Sequence, residues 1–468
     1  MKKQVLLLIA ILFFNQVFAE IWLPSILSDN MVLQQQSEVT IWGWTTSSSE
    51  TISVYGSWDN KKFTTKANQG VWSLKLPTPK SGSIYSLTIE GHETIVINNV
   101  LIGEVWLASG QSNMQWSANS GIENAKEEIK NADYPEIRFF QVLRHKSTYP
   151  QDQTLGKWMV CTPETMQNFS AVAYFFGRKL HQDLSVPVGL INSSWGGTPV
   201  ETWIDKDLIK KDSELSKAAK KIGDNPYRPK DPGVAYNAMI HPILNFNIAG
   251  VIWYQGESNR QNVPSYYESF PLLIDSWRKA FNKDFPFYFV QIAPFKYDNI
   301  NGVDAAIVRD AQLKTMLTVP KTGMVVTNDI GNLENIHPIN KQDVGKRLAL
   351  WALAKDYGKT GLVYSGPVYK SMETKKRKII LNFDHADKGL TKKGKSLTEF
   401  YIAGEDQKFY PAKAKIVGNT VVVSAREVKE PKAVRFAFTN GALPNLFNKE
   451  GLPASAFRTD NWEIEVNQ

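Results

Sequence analysis

The chain holds a single cysteine in 468 residues. No intrachain disulfide is possible, so the fold must rest on packed cores rather than covalent staples. The lone thiol stands in Trp158-Met159-Val160-Cys161-Thr162, which reads as a buried strand and is a poor setting for a thiolate nucleophile. Histidine is scarce at six residues, and no Cys/His spacing of a zinc site occurs, so neither a metal nor a cofactor is expected. Beyond the first residues no apolar run approaches the ~20 residues of a membrane span. Internal repeats and low-complexity linkers are lacking. Basic residues are scattered despite a formal charge of +8, and nothing matches a nucleic-acid module. The one basic run, Lys375-Lys376-Arg377-Lys378, reads as a solvated face or a guarded strand edge.

What is present begins with Lys2 and Lys3, an apolar run from Val5 to Phe14, and Val17-Phe18-Ala19. A positive start, a short hydrophobic stretch and a small residue at the cut describe a signal peptide over residues 1–19, and hence an exported protein, periplasmic or secreted. The remaining ~450 residues exceed one hydrophobic core and predict two or three domains. Residues 20–100 show short alternating segments such as Val39-Thr40-Ile41-Trp42-Gly43-Trp44, separated by Ser, Gly and Asn clusters. They predict a sandwich-like antiparallel β domain. Across 101–357 strand patterns (105–108, 137–142, 187–192, 250–254, 286–291, 323–327) alternate with helical ones (118–130, 170–184, 266–281, 305–317, 341–355). That alternation predicts an α/β domain with a parallel sheet covered on both faces. Residues 358–468 return to strand patterns, a β-rich tail.

Polar chemistry gathers where the α/β pattern ends its strands. After Val105-Trp106-Leu107-Ala108-Ser109 comes Gly110-Gln111-Ser112-Asn113-Met114. A strand opening into a tight turn exposes a serine hydroxyl at the carboxyl edge of the sheet, and a helix starting there aims free amides at a developing oxyanion. The same residues also suit an N-cap serine. In Asn192-Ser193-Ser194-Trp195-Gly196-Gly197-Thr198-Pro199 the paired glycines let backbone amides approach a substrate, although a plain strand-to-helix turn reads the same way. In Trp253-Tyr254-Gln255-Gly256-Glu257-Ser258-Asn259, Gln255 and Asn259 are candidate oxyanion donors and Glu257 a brace; caps and turn residues are the alternative. The last block, Asp329-Ile330-Gly331-Asn332-Leu333-Glu334-Asn335-Ile336-His337-Pro338, places an imidazole on a loop behind several acids. A serine hydroxyl needs such a base at neutral pH. Of the other histidines, His92 and His181 read as structural, His145 lacks an acidic neighbour and His241 precedes an apolar helix. His385, in the β-rich tail, is the rival base.

These four blocks, in this order, resemble the sialate O-acetylesterase family of the SGNH (GDSL-like) hydrolase superfamily. Asn237-Ala238-Met239-Ile240-His241-Pro242 and Val344-Gly345-Lys346-Arg347-Leu348-Ala349 agree as well, so the likeness spans most of 21–400. The resemblance implies a flavodoxin-like three-layer hydrolase domain accompanied by β domains. It implies Ser112 as nucleophile and His337 as general base. The amides of Ser112 and Gly197, with Gly196 as the alternative glycine, and the side chain of Gln255 become the oxyanion donors. The superfamily usually places Asp three residues before the histidine, where this chain has Glu334. The orienting group is therefore Glu334, Asp329 or no acid at all, a backbone carbonyl serving in a Ser–His dyad. Gln111, Asn113 and Glu257 are expected around the substrate. A sialic acid carries a carboxylate and so favours an arginine, Arg309 or Arg260. The implied activity is removal of O-acetyl groups from sialic acids through an acyl-enzyme, with an O-acetylated sugar as substrate and neither nucleic acid nor a membrane span expected. Acetyl xylan or another plant polysaccharide is the alternative substrate. A non-catalytic carbohydrate-binding protein, its 14 tryptophans stacking on sugars, is the alternative of another class.

Overall fold

The computed structural model describes residues 20–464, and the expected signal peptide at 1–19 lies outside them. Its body is a mixed sheet of seven strands: β1 (Thr94–Gly110), β2 (Tyr134–Gln141), β3 (Trp158–Cys161), β4 (Val188–Ser194), β5 (Gly250–Tyr254), β6 (Phe287–Val290) and β7 (Thr322–Val325). They run in the order β3-β2-β4-β1-β5-β6-β7. Every pairing is parallel except β3 against β2. The helices that bear on the site are α1 (Ser112–Gln115), α2 (Ala171–Leu184), α3 (Tyr266–Ala280), α4 (Asp304–Thr318) and α5 (Lys341–Lys355).

The near-continuous apolar runs of β4, β5 and β6 are buried along their whole length, as strands covered on both faces must be. Alternate residues serve opposite faces. Trp106, Ala108, Leu190, Ile252 and Tyr254 pack with Phe176 of α2 and Leu348 of α5. Val105, Leu107, Ile191, Val251 and Trp253 pack with Phe270 of α3 and Val308 of α4. Helices α2 and α5 meet backbone to backbone, since a Cβ on Gly345 would stand 2.7 Å from the carbonyl of Val172.

The expected helix at 118–130 is instead a single 3-10 turn, Ala118–Ser120, and a short helix, Ala125–Lys130. Gly121 (φ +103°) and Asn124 (φ +57°) hold the chain in left-handed conformations that no continuous helix tolerates.

Strand β1 is 17 residues long. Its first half pairs with Tyr85–Glu90, its middle with Val32–Gln34, and its last residues with β4 and β5. The boundary read at residues 100 and 101 thus falls inside one unbroken strand. The tail forms two four-stranded sheets and one two-stranded sheet. The whole is a mixed α/β fold with β-rich flanks. Among the described residues no helix is long and apolar enough to cross a membrane.

Candidate active site

The carboxyl ends of β1, β4 and β5 lie side by side, so the turns after them form one surface. Gly110 closes β1 with φ +134°, and a Cβ there would stand 2.2 Å from the Tyr254 carbonyl oxygen. Only glycine lets the two backbones approach and the chain then turn. Gln111 follows in extended conformation as the N-cap of α1, and its Oε1 accepts the amides of Gly256 and Ser258 at 3.3 and 3.4 Å. Ser112 starts the helix, so its own amide has no intrahelical acceptor.

The turn after β4 is pressed against this serine. A Cβ on Gly196 would stand 3.4 Å from Ser112 Cβ. The Gly196 amide donates to Gln115 Oε1 at 2.7 Å, which leaves Gly197 (φ +76°) as the glycine whose amide is unengaged among the described residues. The Gly197 carbonyl accepts from Ser258 Oγ at 2.7 Å, tying the turns after β4 and β5 together.

Gln255 is fully buried, and both of its N–H groups are engaged. They donate to the Thr198 carbonyl at 3.2 Å and to Asn259 Oδ1 at 2.7 Å, while Oε1 accepts from Tyr266 Oη at 2.9 Å. Asn259 in turn donates to the Glu201 carboxylate and to Asn262 Oδ1, and accepts the Val200 amide. Burial pushes the Glu201 carboxyl up against these hydrogen bonds. In this arrangement Gln255 braces the glycine turn rather than presenting a free donor.

His337 lies between β7 and α5. Its backbone amide donates to Asn335 Oδ1 at 2.9 Å, and its ring stacks on Trp116 with centroids 4.1 Å apart and planes 17° apart. Asn113, the residue after Ser112, donates to the Ile336 carbonyl at 3.1 Å. The Ser112 helix and the His337 loop are thereby held together. Burial, then the charge of Lys341, lowers the His337 pKa to about 4, so the imidazole is neutral and able to accept a proton at neutral pH.

No carboxylate is hydrogen-bonded to the ring among the described residues. Glu334 has 72% of its side chain exposed and pairs with Lys296. Asp329 is gripped by Arg347 at 2.8 and 2.7 Å. His385 is engaged edge-on by Tyr364, at 5.2 Å between centroids, and by Trp351.

Beneath the serine lies a buried polar cluster. Asn113 donates to Glu257 Oε1 at 2.9 Å, and its Oδ1 accepts from Lys341 Nζ at 2.5 Å. Lys341 is 1% exposed, and its ammonium lies 5.6 Å from the Tyr254 ring centre and 6.0 Å from that of Trp116. Burial lowers its pKa to about 7 against the pull of Glu257, and burial raises the Glu257 carboxyl. Gln111, Asn113 and Glu257 are all buried; Gln111 is engaged by the turn after β5, Asn113 and Glu257 by each other, and Glu257 Oε2 has no partner among the described residues.

Arg309 is 1% exposed and donates to the carbonyls of Thr439 and Asn440; it fastens α4 to the tail. Sequence reasoning missed Gln115, Trp116 and Lys341. A lysine in the first turn of a helix reads as a solvated residue, since the helix dipole disfavours a cation there. Trp116, one turn after Ser112, is the one signal that was legible. Among the described residues no three His, Cys, Asp or Glu side chains are grouped to hold a metal ion.

This geometry, a turn-borne serine beside the unengaged Gly197 amide and a neutral imidazole, suits acyl transfer. Residues 102–353 match the family model described as carbohydrate esterase, sialic acid-specific acetylesterase. The chain is 33% identical over 402 residues to the sialate O-acetylesterase of Homo sapiens, covering 77% of this chain and 76% of that protein. To that of Mus musculus it is 31% identical over 422 residues, covering 77% and 78%. A solved carbohydrate acetylesterase from Xanthomonas citri superposes with a TM-score of 0.85 at 38% identity, covering 95% of this chain and 100% of that one. The chain is an ester hydrolase and belongs to the sialic acid-specific acetylesterase family of carbohydrate esterases.

Proposed function

We propose that this protein is an exported O-acetylesterase that removes acetyl groups from sialic acids through a Ser112 acyl-enzyme, on an SGNH-type three-layer domain. The observation that carries the reading is the junction of Ser112, the Gly196-Gly197 turn and the Trp116-stacked His337 at one edge of the sheet. Ser112 Oγ attacks the acetyl carbonyl as His337 takes its proton, forming a tetrahedral intermediate. The oxyanion is received by the amides of Ser112 and Gly197, whose directions are set by α1 and by the Gln255 brace. Loss of one such donor costs ~100- to 1,000-fold in rate, about 3–4 kcal/mol. The intermediate collapses as His337 returns the proton to the departing sugar oxygen. Water, deprotonated by His337, then attacks the acetyl-serine, and acetate leaves with Ser112 restored.

Acetate release from 9-O-acetylated sialic acid and from acetylated xylan, with Ser112→Ala in parallel, tests the reading. Preferential release from the sialic acid, lost in the variant, is the expected result. Release from xylan alone moves the substrate to plant polysaccharide, and no release from either by folded protein overturns both substrate readings.

A further inference from the structure

The sugar that the acetyl group leaves must be held by something, and the polar side chains of Gln111, Asn113 and Glu257 beside Ser112 are buried. We propose that Arg260 is the specificity-determining residue of this site, gripping the carboxylate of an acidic sugar with its two terminal nitrogens. The proposal rests on the acetylesterase reading above and deepens it. Arg260 stands three residues after Glu257 in the turn that follows β5. Its Nε is committed to Asp304, and its guanidinium lies over the Tyr297 ring, 3.5 Å from the centre. These two contacts fix the plane of the fork in advance, so little side-chain freedom is lost on binding.

Neither terminal nitrogen has a partner among the described residues, and neither is shut away from solvent. Both belong to a side chain that lines a cavity of about 930 Å³ together with Lys221, Gln261, Asp298, Asn299 and Asn301. That volume lies in the range of small-ligand sites. The carboxylate and amide groups around it suit sugar hydroxyls.

Ser112, Gly197 and His337 do not line this cavity; a relay of contacts ties its wall to the glycine turn beside the serine. Gln261 Oε1 accepts the Gly223 amide at 2.8 Å, the Gly223 carbonyl accepts from Arg228 at 3.2 Å, and the Arg228 stem packs on Gly197. From the other side Ser258, two residues before Arg260, holds the Gly197 carbonyl. The charge of Arg260 also reaches Glu257, where it opposes the upward push of burial on that carboxyl.

Other arginines fit less well. Arg309 is sealed against the tail, and one terminal nitrogen of Arg228 is buried with no partner. Because Asp304 already balances the charge of Arg260, recognition works by the planar fork rather than by net charge. A lysine therefore does not replace it.

The test compares acetate release from 9-O-acetylated sialic acid and from its methyl ester, whose carboxylate is masked. Active sites are normalised by turnover of 4-nitrophenyl acetate. The wild type is expected to prefer the acid, and in Arg260→Gln that preference falls about 10- to 100-fold, mainly through KM. Arg260→Lys restores little of it. An O-acetylated glucuronoside and its methyl ester, run beside them, tell a uronic acid from a sialic acid as the source of the carboxylate; a collapse on either supports the assignment. Equal loss on acid and methyl ester, or an unchanged preference, overturns it. A wild type that cleaves 4-nitrophenyl acetate but neither acidic sugar overturns the substrate reading and the Arg260 assignment together. A wild type active on the acid with an unaffected variant overturns Arg260 alone.

Discussion

In the proposed mechanism His337 is a weak base held where weakness costs little. With its pKa lowered to about 4 by burial and by Lys341, the ring is neutral from mildly acidic pH upward. It becomes protonated, and unable to take the Ser112 proton, only as pH falls through that value. The acid limb of the kcat/KM profile is therefore expected near pH 4 rather than at the ordinary imidazole value of about 6.5. Replacing Lys341 by Met removes the adjacent positive charge, so the limb should move to higher pH; a stationary limb would contradict the coupling. The acid can be tested separately. Since Glu334 pairs with Lys296 at the surface, Glu334→Gln should keep kcat within about twofold, whereas an orienting acid of the triad kind loses ~10⁴-fold on conversion to its amide. Steady-state kinetics on 4-nitrophenyl acetate decides between the two.

At the scale of elements, the site is a meeting of turns, and glycine sets how closely they meet. Gly110 combines a left-handed φ with a Cβ position 2.2 Å from the Tyr254 carbonyl. Gly110→Ala must push β1 from β5 and swing Ser112 with it. We expect at least about 2 kcal/mol of lost stability and a large fall in kcat, measured by chemical denaturation and single-turnover kinetics. The Gln255 brace makes a different prediction. Gln255→Ala leaves Asn259 Oδ1 and the Thr198 carbonyl short of a donor in a fully buried setting, a cost of about 1–3 kcal/mol. If Gln255 acts on the oxyanion through the glycine turn, kcat should fall while KM for the small ester holds. The strand and helix periods at 250–254, 266–281 and 341–355 were legible because apolar spacing reports burial directly. The broken helix at 118–130 was not, because Gly121 and Asn124 act by backbone conformation rather than by periodicity.

Across the whole molecule, the three regions read from the sequence are fastened together by two devices that local patterns do not announce. Strand β1 belongs to the N-terminal β region and to the catalytic sheet at once. The tail is docked on α4 by Arg458 against Asp310 at 3.3 Å and by Arg309 on the carbonyls of residues 439 and 440. Arg309→Met should therefore destabilise the protein by about 1.5–3 kcal/mol, seen as a lower denaturation midpoint, with KM for acetylated sugar little changed. A raised KM at constant stability would return Arg309 to the substrate site.

By itself the sequence determined the alternation of strands and helices, the place of Ser112 at a strand end and a histidine on the loop before α5. Each depends on residues close in the chain: an apolar run, a glycine turn, a histidine on a loop. Only the tertiary structure decided which groups serve these two. It set Lys341 and Glu257 on Asn113, engaged both donors of Gln255, turned Glu334 outward to Lys296 and sealed Arg309 under the tail. The physical reason is that hydrogen-bond partners and desolvation are properties of neighbours in space. A side chain's chemistry is written at its own position, while its role depends on strands and loops that arrive from a hundred or more residues away.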